Sequence, residues 1–527
     1  MNMNLILTLV ALIPFVLLFF LIVIRKVPAL KSMPLIWLLT VAITLALWKI
    51  SVENFAASFL KAFFMTTEIM LIIFGAVLLI EVLKQKRQVE VIQKLMSSIS
   101  PDARIQAIII AWFFGALIEG IAGFGTPAAL AAPLLVSIGF SPLLAVTTAL
   151  ISNSIPVSFG AAGTPILIGL APLNLSGTEI GQITNLTAVF NSIAGLVIPI
   201  ALVCLVIANS REKKRFSGFV KTIPFILFSW IVFIVPYYLV AHFVGPELPS
   251  IITGLFGLVI ISLAAHYRIL TPKRAIVFKR VSQKTPEFWK VMKSILPYLL
   301  IIAFLALTRI IPLIKTSLSS INLSWNNIFN TGVSYSFLPF YTPSFYFILS
   351  VIICFFIYKA TGKDISISIK GAFSRIKIPF IALLFTIAFV QLLISSSNNA
   401  SGIEGIPALL AESISLVSKG AYILISPFIG AFGAFIAGSN TVSNLLFGLL
   451  QSTTAKALGL SAILIISLQV AGGAVGNMIA IHNVIAANSV VGLKDSEGKV
   501  IRKTIIVAII YSLALGILGL ILAGIIL

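Results

Sequence analysis

Gly115-Ala116-Leu117-Ile118-Glu119-Gly120-Ile121-Ala122-Gly123-Phe124-Gly125-Thr126-Pro127 interrupts one strongly apolar region of the chain, and Gly430-Ala431-Phe432-Gly433-Ala434-Phe435-Ile436-Ala437-Gly438-Ser439-Asn440-Thr441 interrupts another. Laid over each other they share Gly-Ala, then Ile-Ala-Gly after four intervening residues, then a Thr. Paired interruptions of hydrophobic segments in corresponding halves are the pattern of a carrier whose substrate binds where the two halves meet. The pairing therefore implies a secondary transporter built from two related halves.

Composition agrees. Of 527 residues 59% are hydrophobic and only 10% are charged. A soluble domain carries roughly 25% charged residues, so this chain could not cover its surface in water. Apolar runs long enough to span a bilayer recur along the whole length. The run up to Ile24 is too long for a signal-peptide core and lacks a basic leader or a cleavage signature, so it reads as the first spanning helix. The net charge of +21 comes from short loops: Arg25 to Lys31, Lys84 to Lys94, Arg211 to Arg215, Lys273 to Lys293, Lys359 to Lys377 and Lys494 to Lys503. Basic loops between apolar spans lie on the cytoplasmic side, so the charge reports topology and not a nucleic-acid partner. The Ser- and Asn-rich connection 314–343 then lies outside. Cys204 and Cys354 lie within spans as two isolated buried thiols, which support neither a disulfide framework nor a metal site.

The expected fold is an all-α polytopic membrane protein with about 12 transmembrane helices plus two re-entrant hairpins in two inverted-topology repeats. The whole chain reads as a single transmembrane domain, with residues 5–207 as the first repeat, 208–292 carrying a linking helix pair, and 293–527 as the second repeat. Charge bookkeeping puts a hairpin at about 106–137 followed by a broken helix at 143–171, and a second hairpin at about 420–452 followed by a broken helix at 458–490.

Irregular backbone at membrane depth is tolerated only where protein buries it or it lines a cavity. The hairpin tips and helix breaks are accordingly the candidate substrate site: Gly123, Gly125, Thr126, Ser158, Gly160, Gly163, Thr164, Ser439, Asn440, Thr441, Gly473, Gly476, Asn477 and Asn483. Glycines let backbone approach a ligand, and half-helix N-termini offer free N–H groups and a partial positive charge that suit a carboxylate. Glu119 is a carboxyl deep in an apolar hairpin, where desolvation works against the charged form, and it is the expected proton carrier. His482 is the second candidate for proton coupling. Arg309, near the outer end of its span, reads first as an interfacial residue with a snorkelling head and second as a carboxylate anchor. Glu68 and Glu81 read as interfacial ends of one helix. No catalytic residue or metal site is expected: a nucleophile elbow, a His-Glu-x-x-His helix and paired intramembrane Asp are all missing.

Gly115 to Ala128, Ser152 to Pro165, Gly438 to Asn444 and the run Gln469 to Asn477 with Ile481-His482-Asn483-Val484 resemble the L-lactate permease family, as does the late loop Gly492 to Arg502. The resemblance covers nearly the whole chain. It implies a cell-membrane carrier that takes up lactate and glycolate with protons and needs no cofactor. At fold level the tips and breaks are also similar to dicarboxylate and citrate symporters, which implies Na+ coupling as the alternative to H+ and a homodimer as a candidate assembly.

Overall fold

The computed structural model describes residues 3–25, 27–123, 125–210, 212, 215–279, 285–494 and 496–526. Phe124, inside the first tip, and most of the Arg211 to Arg215 cluster lie outside the described residues. The protein is nearly all helical; among the described residues the only strands are Leu323–Trp325 and Tyr335–Phe337, an antiparallel pair in the outer connection. Among the described residues eleven helices are long and apolar enough to cross a membrane. Their outward faces are apolar too. On Glu497–Ile526 the side chains of Ile506, Ile509, Ile510, Leu513, Ile517 and Ile521 are all exposed, as lipid contact requires. This is a polytopic membrane protein.

Two groups of helices divide the work. Ala29–Ile43, Val52–Gln85, Pro343–Ile357 and Gly362–Ser395 pack on one another at one side of the chain's broken elements. Val52–Gln85 runs for 34 residues, about 51 Å at 1.5 Å per residue, against a hydrocarbon layer of about 30 Å. Hydropathy alone ends this helix near Glu68, because Glu53, Asn54 and Lys61 dilute it. Glu68 therefore lies well inside the helix and not at its end.

The interrupted elements form the second group. The first hairpin has arms Ala103–Ala122 and Thr126–Ser137, joined through Gly123 and Gly125, both at positive φ (57° and 76°). The first arm is entirely buried, π-helical over Ala107–Phe114, and cased by Pro249–His266. Close approach there depends on glycine: a Cβ at Gly254 would strike Leu117, and one at Gly257 the Phe113 ring. The second hairpin has arms Tyr422–Ala437 and Asn440–Ala457, turning at Gly438 with φ 74°. Each hairpin is followed by a broken helix, Pro142–Ser152 with Gly160–Leu167 in the first case and Ala462–Gly476 with Ile481–Val490 in the second. The tips fall where the glycine pattern predicts. The second break does not. It spans residues 477–480, and Gly472, Gly473 and Gly476 belong to the continuous helix before it.

One further helix, Ile406–Ser418, occupies a stretch that the sequence reading leaves as a connection. Cys204 is exposed on the bundle surface, contrary to expectation, while Cys354 is buried; both are free thiols.

Candidate substrate and coupling site

Glu119 sits in the last turn of the first arm, only 3% exposed. Asn153 Nδ2 donates to its Oε2 at 2.8 Å. Its Oε1 faces Gly160, where an added Cβ would overlap it, and lies 3.4 Å from where a Cβ on Gly123 would stand. Glycine at 160 and 123 thus makes the socket that admits this carboxyl between the first tip and the first break. The break itself is strained: Ala161, Ala162 and Gly163 take left-handed φ values of 43°, 52° and 79° in succession. For the two alanines such a backbone costs about 1–2 kcal/mol each. Strain of this kind persists only where surrounding structure over-determines it.

The two tips and two breaks interlock crosswise. The first tip meets the first break at Gly123 and Ala161, and the second tip meets the second break, where a Cβ on Gly438 would lie 3.2 Å from His482 Cβ. Each tip also reaches the other break. Thr441 of the second tip stands 3.3 Å from Thr164, hydroxyl to hydroxyl, and Asn444 Nδ2 donates to the Pro165 carbonyl at 2.9 Å. In return Gly125 of the first tip lies against Asn483, whose Oδ1 would be 2.8 Å from an added Cβ.

At the crossing is a cavity of about 20 Å3, lined by Glu119, Gly123, Gly160, Thr164, Ser439, Asn440, Thr441 and Asn477 together with neighbouring backbone. A water needs about 10–15 Å3 measured this way, so the site in this conformation is closed around its side chains and admits no hydroxy acid. Among the described residues no Lys or Arg lines it. Its positive pole is the start of Asn440–Ala457, which has no side-chain cap and carries free N–H groups at Asn440 and Thr441 beside the Ser439 hydroxyl. Asn440 Nδ2 donates to the Val470 carbonyl at 3.0 Å, while its Oδ1, buried against Gly473, has no hydrogen-bond partner among the described residues.

Larger cavities flank this centre. One of about 330 Å3 shares Thr164 as a wall and runs out past Lys61, Glu68 and the Tyr335 strand. Another of about 530 Å3 shares Gly438 and Ser439, carries His482, Asn483 and Thr386, and is lined mainly by apolar side chains. His482 is therefore beside the centre rather than in it.

Other expected site residues serve the framework. Ser158 accepts from Asn191 Nδ2 at 2.8 Å in a buried network where Tyr511 donates to Asn191 Oδ1 at 2.9 Å and Tyr237 donates to the Ile155 carbonyl at 2.9 Å. Gly163 is pressed on the linking loop, 2.7 Å from the Pro246 carbonyl if it carried a Cβ. Gly472 and Gly476 let the helix meet the backbone of Pro427 and Ala431 in the second hairpin, and Gly473 makes room for Asn440. Thr126 opens the second arm of the first hairpin, its N–H bonded to the Gly123 carbonyl at 3.0 Å. Asn483 donates to Asn477 Oδ1 at 2.7 Å and holds the second break. Arg309, in the last turn of its helix, does not line the central cavity: its side chain is buried and paired with Glu247 at 3.0 Å, donates to the Tyr341 carbonyl at 2.8 Å, and lies 3.9 Å over the Tyr341 ring. Glu247, Asn191 and the two tyrosines carry no local sequence signal, since each matters through a partner far along the chain. Asn153 had one, as a polar residue just ahead of the first break.

The L-lactate permease family profile matches residues 7–526. A Haemophilus influenzae relative is 35% identical over 96% of this chain and 97% of its own length. The L-lactate permease of Bacillus subtilis is 30% identical, covering 82% of this chain and 81% of that one. The glycolate permease GlcA of Escherichia coli is 27% identical over 97% and 95%. With eleven candidate spans and the family's profile from end to end, this chain is a multi-pass transport protein of the plasma membrane and belongs to the L-lactate permease family.

Proposed function

We propose that this protein carries L-lactate, and with it D-lactate and glycolate, into the cell together with a proton. The observation that carries the reading is the placement of Glu119 in one small cavity with an uncapped helix N-terminus. The N–H groups of Asn440 and Thr441 and the hydroxyls of Ser439, Thr441 and Thr164 suit a carboxylate and a neighbouring 2-hydroxyl. Two carboxylates in so small a space cannot both stay ionised, and no cation lines the cavity to compensate them. A bound hydroxy acid therefore requires a proton on Glu119. Anion and proton together add no net charge to the centre, which lowers the cost of carrying the substrate past the apolar layer. Names borne by relatives, L-lactate permease and glycolate permease, support this substrate class.

The halves 5–207 and 293–527 act in this reading as inverted repeats. Their tips and breaks exchange partners across the centre, and access alternates between the two flanking cavities. A second reading, sodium coupling, draws on one observation: the unpartnered Oδ1 of Asn440 is an oxygen that suits a cation. Purified protein in liposomes separates the two. Labelled L-lactate should accumulate above equilibrium under an imposed pH gradient, alkaline inside, with no sodium present. Accumulation that needs sodium and ignores pH would overturn proton coupling, and transport of other acids but not of lactate or glycolate would overturn the substrate.

A further inference from the structure

The 330 Å3 cavity has a character the centre lacks. It carries a cation, Lys61, on Val52–Gln85, in the half of that helix that the basic loops assign to the exterior. Among the described residues no carboxylate pairs with Lys61. The other titratable groups facing the cavity are Glu68 and Tyr335. Glu68 lies two turns further along the helix, about 10.5 Å along the axis, and is engaged with the Tyr335 hydroxyl at 3.0 Å. That bond ties the Tyr335–Phe337 strand to the cavity, whose wall also includes Ser334 and Ser336. At its inner end the cavity reaches Thr164, whose hydroxyl faces Thr441 of the centre.

We propose that this vestibule is an outer binding subsite for the carboxylate of a small hydroxy acid, with Lys61 as its charge partner and Thr164 as the hand-over point to the centre. The inference rests on the monocarboxylate reading above. An unpaired ammonium within a half-enclosed cavity attracts anions more strongly than one in bulk water, and raises their local concentration beside the closed centre. The centre itself has no cation, so recruitment and coupling fall to different residues: Lys61 gathers the anion, and Glu119 with the helix N-terminus holds it.

The test is initial-rate uptake of labelled lactate by reconstituted protein of known orientation, at low and high ionic strength. Lys61→Met should raise the KM for substrate on the outer face about five- to twentyfold, leave the maximal rate within about twofold, and leave the KM from the cytoplasmic face unchanged. Lys61→Arg should stay close to wild type. The wild-type outer KM should climb with ionic strength, and Lys61→Met should abolish that dependence. A Lys61→Met protein with unchanged outer KM, or with KM raised equally on both faces, would overturn the subsite. If that variant fails to reach the membrane, a wild-type outer KM indifferent to ionic strength would overturn it as well. Absence of any lactate transport by the wild type would instead refute the substrate reading.

Discussion

The hydroxyls of Thr164 and Thr441 stand 3.3 Å apart although 277 positions separate them in the chain. One belongs to the first helix break and the other to the second hairpin tip, and both line the central cavity. Replacing either with Val keeps the shape and removes the polar group. Each single change should raise the KM for lactate about three- to tenfold, the scale of one lost hydrogen bond. The double variant should lose less than the product of the two, because both changes break the same contact. Strictly multiplicative effects in a kinetic double-mutant cycle would show that the hydroxyls act separately.

Glu119→Gln retains an acceptor for Asn153 and removes the ionisable oxygen. Proton-driven accumulation should vanish, while exchange of labelled for unlabelled lactate across the membrane continues. Measuring both in the same vesicles distinguishes lost coupling from lost folding. Intact accumulation would remove Glu119 from the proton path.

Gly160→Ala should displace the Glu119 carboxyl, since the new methyl would occupy the place of Oε1. We expect uptake at least tenfold lower with normal membrane insertion, as overpacking costs about 1–3 kcal/mol without abolishing the fold. Gly115→Ala, one turn before Glu119 on the first arm, meets nothing within 4 Å and should be close to neutral. Equal effects from both would refute the socket.

Arg309 and Glu247, with side chains only 3% and 7% exposed, tie Phe288–Ile310 to the loop whose Pro246 carbonyl presses on Gly163. Removing either charge alone strands the other, at a cost of about 3–5 kcal/mol, and should lower the thermal midpoint in detergent. The pair Arg309→Met with Glu247→Met should recover most of that loss. A double variant less stable than both singles would contradict the assignment.

Several features of the site were legible in the residues because they are local. A glycine at positive φ marks a turn wherever it occurs, so Gly123, Gly125 and Gly438 announced the tips. Glu119 stood out because no apolar run carries a carboxyl without reason. The glycines of Gln469 to Asn477 misled, because a glycine that opens the backbone and a glycine that admits a neighbouring helix look alike in a linear string. Gly472 and Gly476 turned out to be the second kind, pressed on Pro427 and Ala431. Ser158 and Arg309 were ambiguous in the same way, because a hydroxyl or a guanidinium takes its setting from its partners, here Asn191 and Glu247.

By itself the sequence determined the membrane habitat, the two hairpin tips and the carboxyl beside the first of them. These follow from hydropathy, charge placement and backbone sterics, which act over a few residues at a time. Only the tertiary structure decided which polar groups face one cavity, because that depends on packing between segments hundreds of positions apart. It set Thr164 against Thr441, gave Asn153 to Glu119, took Ser158 and Arg309 into the framework, and opened the outer cavity to Lys61.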